Sequence, residues 1–89
     1  MRHIIRGIEW TQVSKRLKGH WGWCKPATLT IEIAKGQTGI RLLETLIHET
    51  LHAAYTDLSE DAVTETARDM ALLLWKNGVR FADETATEG

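Results

Sequence analysis

Two imidazoles and a carboxylate stand together at His48-Glu49-Thr50-Leu51-His52, the pattern H-E-x-x-H inside an apolar-periodic segment. Residues four apart on a helix differ by only about 40° around the axis, so both rings project from one face. That spacing lets a single tetrahedral Zn²⁺ take a nitrogen from each ring. Glu49 follows the first histidine and lies beside the metal without having to bind it. A carboxylate so placed can accept a proton from a metal-activated water, the general base of metal-assisted hydrolysis. Two histidines do not complete a site, so a third donor is required. A continuation H-x-x-G-x-x-H fails, because Tyr55 and Leu58 occupy the glycine and histidine positions. The remaining donors are the acids Glu60, Asp61, Glu65 and Asp69 of the following segment.

The elements that must hold these residues follow from periodicity. Residues 39–55 read as a first long helix, with Leu43, Leu46, Ile47, Thr50, Leu51 and Ala54 as a broad buried face. Thr38 is placed to cap it. Ser59 reads as the N-cap of a second helix running to about Asn77, with Glu60 and Asp61 at the positive end of its dipole. Gly78 follows as the expected residue just past its end. Its core stripe is Val63, Ala67, Met70 and Leu74. Upstream, residues 2–10 read as a strand with a bulge at Gly7, and residues 11–19 as a short helix. Residues 19–26 read as an aromatic-rich loop. Residues 27–34 alternate as a half-buried strand, with Ala27, Leu29, Ile31 and Ile33 on one side. The order β, loop, β, α, α predicts a small α+β domain over residues 1–82, with a polar, frayed tail at 83–89.

Composition narrows the classes. Eighty-nine residues with 43% hydrophobic and 26% charged side chains describe one small globular domain, to which a bound metal would add stability. A net charge of −1 without a basic stripe speaks against nucleic acid as partner. Cys24 is the single cysteine, which fits a reducing compartment, and neither a membrane span nor a signal-peptide core is present. A cytoplasmic location is the expectation.

With Glu65-Thr66-Ala67-Arg68-Asp69 following the H-E-x-x-H helix, the chain resembles the gluzincin metallopeptidases, whose third ligand is written E-x-x-x-D. The resemblance implies Glu65 as ligand and Asp69 as the acceptor that orients a ligating histidine. The stretch from Leu46-Ile47-His48-Glu49 through Leu73-Leu74-Trp75-Lys76-Asn77-Gly78 is also similar to the very small zincin-like proteins of tailed bacteriophages and prophages. It implies a minimal zincin-like fold, a small sheet packed on the active-site helix, and a zinc-dependent hydrolase acting on a peptide or protein. Glu65 nevertheless falls about 200° from Val63, while Glu60 lies nearer the apolar stripe and is the second choice as ligand.

Tyr55, seven residues beyond His48, is placed to donate to a developing oxyanion or simply to pack beside the site. His20, His3 and Cys24 read first as surface, surface and small buried residues, and Trp10, Trp21, Trp23 and Trp75 as core or loop anchors. The rival to an enzyme is a non-catalytic zinc-binding module that keeps the fold for partner recognition.

Overall fold

The computed structural model describes residues 1–82, so the expected tail at 83–89 lies outside the described residues. The fold is α+β: a four-stranded mixed sheet followed by two helices. Strands β1 (Arg2–Ile5), β2 (Ile8–Lys15), β3 (Gly22–Lys25) and β4 (Thr30–Ala34) lie in the order β1-β2-β4-β3. β1 and β2 are antiparallel, β2 and β4 parallel, β3 and β4 antiparallel.

Three expectations change here. The strand at 2–10 is two strands, because Arg6 and Gly7 both take left-handed φ (49° and 80°) and turn the chain between paired Ile5 and Ile8. Two consecutive positive φ values give the two-residue turn whose twist suits a hairpin, and glycine takes one of them without strain. The helix expected at 11–19 is instead the continuation of β2 to Lys15. The loop at 19–26 contains β3, and the strand at 27–34 begins only at Thr30, after a 3-10 turn over Pro26–Thr28 and Leu29 at φ 52°.

Helix α1 (Gly39–Ala54) and helix α2 (Glu60–Lys76) match the expected helices closely. Ser59 Oγ accepts the amide of Ala62 at 3.1 Å, the expected cap. Thr38 stands at the N-cap of α1 with extended backbone, but its side chain makes no capping hydrogen bond. α1 covers one face of the sheet, and the core of Trp10, Ile31 and Ile33 lies between them, joined by Ile5, Leu42 and Leu46. Glu32 alternates to the other face, where Lys25 Nζ and Lys15 Nζ meet its carboxylate at 3.1 and 3.4 Å.

α2 turns back along α1: Glu60 lies by the histidines, whereas Trp75 reaches Gly39 at the opposite end. Its buried stripe is Val63, Ala67 and Ala71, and the expected Met70 is 43% exposed. Small residues at this seam permit close approach of the two helices. No described helix is long and apolar enough to cross a membrane.

Candidate metal centre

The 16-residue α1 carries His48 and His52 on one face, and their Nε2 atoms stand 3.2 Å apart. The loop from Tyr55 to Ser59 then returns the chain so that Glu60, the first residue of α2, spans both rings. Its Oε1 lies 2.9 Å from His48 Nε2 and its Oε2 3.0 Å from His52 Nε2. Ligand atoms of all three residues lie within 4.8 Å of one another.

The donor set fits a divalent cation. Two nitrogens bonded at 2.0–2.1 Å to one tetrahedral ion are about 3.3 Å apart, close to the separation of the histidine nitrogens here. Two neutral imidazoles and one carboxylate are the donors of open zinc sites, which keep a fourth position for water or substrate. The histidine side chains are 21% and 25% exposed, so the cluster meets solvent at the mouth of a cleft.

Glu65 and Asp69, the expected ligand and orienter, are exposed and stand outside this group. Helical geometry gives the reason. Glu60 is only about 20° from Ala67 and Ala71 around the axis and so continues the buried stripe toward α1. Glu65 and Asp69 are each about 200° from Ala67, on the far side of the helix. Asp61, the other alternative, is also exposed and outside the group.

Glu49 is 6% exposed and forms the floor of the cleft between α1 and β3. Its neighbour across the gap is Gly22, where an added Cβ would fall 2.9 Å from Glu49 Cγ and Oε2 and 3.0 Å from Thr45 Cγ2. Only a residue without a side chain lets β3 come this close to the carboxylate. Gln37 secures the approach: its Nε2 donates to Trp21 O (2.8 Å) and Ala34 O (3.0 Å), and its Oε1 accepts from Thr45 Oγ1 (2.7 Å). Burial, and then the charge of Glu60, push the Glu49 carboxyl up to about 7. A cation at the triad would favour the ionised form and draw that value down again.

Tyr55 is not brought to the site. α1 ends at Ala54, and the Tyr55 ring lies under Arg6, whose guanidinium carbon is 4.7 Å from its centroid. Arg6 also donates to Ala54 O at 3.1 Å, so it ties the end of α1 to the first hairpin. His3 pairs with Gln12 at 2.7 Å and is structural. His20 lines the cleft, its ring 4.5 Å from that of Trp23. Cys24 lines it as well, half-buried, with a thiol pushed up to about 11 by burial and then by Glu49.

Two lobes of the cleft meet at His48, Glu49 and Glu60. One, about 240 Å³, runs past Trp21, Arg41 and Glu44 toward the start of α1. The other, about 440 Å³, runs past Trp23, Cys24 and His52. β3 and Arg41 are the parts that sequence reasoning missed. β3 is four residues long and punctuated by glycine and tryptophan, and the contact that makes Arg41 notable is with a residue twenty positions away. The i, i+4, i+7, i+11 series Arg41, Thr45, His48, His52 was the available signal.

Comparison with protein-family models, curated proteins and solved structures gives no match to this chain.

Proposed function

We propose that this chain is a metal-dependent hydrolase of the minimal zincin type, with a peptide or protein as substrate. The observation that carries the reading is the convergence of His48, His52 and Glu60 beside the buried carboxylate of Glu49. His48, His52 and Glu60 would hold the ion, and imidazole with carboxylate suits Zn²⁺. When bound, zinc supplies an activated water with pKa near 7 and polarises the carbonyl to be attacked. Glu49 takes the proton from the attacking water and delivers it to the leaving amine. Gly22 brings the backbone of β3 close against one side of this carboxylate.

A peptide substrate is favoured by the sheet. β4 is flanked by β2 and β3 and has no free edge. β3 is the outer strand beside the cleft, and an extended peptide can add to its unpaired side.

The test is Glu49→Gln with zinc content and peptide turnover measured together. One zinc should be retained while turnover falls by about 10²–10⁴-fold, the usual contribution of a general base. A variant that cleaves as well as the parent overturns the mechanism. Wild-type protein that holds one zinc yet cleaves no peptide is the zinc-binding module instead.

A further inference from the structure

We infer that Arg41, stacked on Trp21, is a specificity-determining residue that takes a substrate carboxylate about three residues from the scissile bond. This rests on the metal-centre reading above and adds the substrate class to it. Arg41, Thr45, His48 and His52 share one face of α1, so a ligand at the histidines runs toward Arg41 along the helix. The seven residues from Arg41 to His48 rise about 10 Å, the length of about three residues of extended peptide. The smaller lobe, about 240 Å³, connects the two points, and among the described residues Arg41 is the only lysine or arginine that lines it. The larger lobe has none among its lining residues.

The guanidinium carbon of Arg41 lies 4.8 Å from the Trp21 ring centroid. Both residues are exposed, and among the described residues Arg41 makes no ion pair. Stacking covers one face of the guanidinium and holds its plane, while its edge N–H donors stay available for a bidentate carboxylate. Trp21 itself is anchored, since its carbonyl accepts from Gln37 Nε2 and from the amide of Ala34 at 2.9 Å. Glu44 lines the same lobe without pairing to Arg41, so an amine-bearing substrate is the competing occupant.

The experiment loads the full chain with Co²⁺ and follows its visible d–d absorption during titration with tripeptide hydroxamates. The hydroxamate chelates the ion, and the far end is a free carboxylate, its primary amide, or an aminoethyl amide. The acid should bind about tenfold tighter than the amide, as expected for one bidentate charged contact. Arg41→Gln should abolish that preference, and Trp21→Leu should reduce it to about threefold by removing the platform. Equal affinity for acid and amide, a preference that survives Arg41→Gln, or tightest binding of the amine overturns the subsite alone. Failure of Co²⁺ to give a d–d spectrum at all overturns the metal centre, and the subsite with it.

Discussion

The first turn of α2 and the two turns that follow it carry the same kind of residue on opposite sides of the helix. Glu60 lies against His48 and His52 at 2.9 and 3.0 Å, whereas Glu65 and Asp69 face solvent. Side-chain chemistry does not distinguish them, and neither does distance from the H-E-x-x-H helix in sequence. What differs is angular position relative to the alanine seam at Ala67 and Ala71. A carboxylate aligned with that seam is delivered to α1 by the packing of the helices, and one on the far side is not. An acidic spacing motif therefore tells which carboxylate approaches the histidines only after the buried stripe of its helix is known.

The largest effect should come from breaking the privileged turn. Glu60→Gln should weaken zinc binding by more than about 100-fold, since loss even of an outer partner of a ligand costs 10–100-fold. Competition with a chromogenic chelator measures it. Zinc at a hundred times the parent's Kd should stabilise wild type by about 2.7 kcal/mol in urea and leave Glu60→Gln almost unmoved. An unchanged affinity would return the third ligand to Glu65 or Asp61.

Next in size is Gly22→Ala, which drives a methyl into Glu49 and Thr45. Overpacking of this kind costs about 1–3 kcal/mol, read as a lowered thermal or urea midpoint. If stability is unchanged, β3 does not press on Glu49 as described.

The comparison extends to a third carboxylate, Glu32, on the open face of the sheet. Hydrogen bonding to Lys25, followed by the weaker contact with Lys15, holds its carboxyl below the ordinary 4.5. A group whose folded pKa is depressed contributes stability above its unfolded pKa and loses it as pH falls through the folded value. Wild type should thus exceed Glu32→Gln in stability near about pH 6, and the difference should shrink toward about pH 3. A difference independent of pH would mean that the lysines do not favour the ionised form.

Smallest of all should be Glu65→Gln and Asp69→Asn. Each should change zinc affinity by less than about twofold and stability by no more than about 0.5 kcal/mol, as for surface sites generally. A loss comparable with that of Glu60→Gln would erase the distinction between the first turn and those that follow it.

Much of the architecture was legible because helices announce themselves by period and cap. α1 and α2 fall within a residue or two of expectation, and Ser59 marks the start of α2. The histidine pair needed only the 3.6-residue repeat. Glu60 was harder to choose, since the buried stripe runs through Ala67 and Ala71, and alanine contributes little hydrophobic signal. Met70 and Leu74 drew the expected stripe instead, yet Met70 is 43% exposed. The sheet was less legible still. β2 continues through the polar residues Gln12, Ser14 and Lys15 because β4 pairs with it over residues 11–15, taking over where the pairing with β1 ends at Thr11. That support comes from a strand distant in sequence, which local pattern does not register.

The short return between the helices has a mechanical consequence. Two donors belong to the end of one rod and the third to the beginning of the next, so an ion seated there fastens residues 48 and 60 across the bend. Prising the second rod away opens the clasp, and stripping the ion with a chelator frees the second rod to fray. Amide exchange along the opening turns of α2 should quicken on chelation, while the hairpin held by Arg6 keeps its pace.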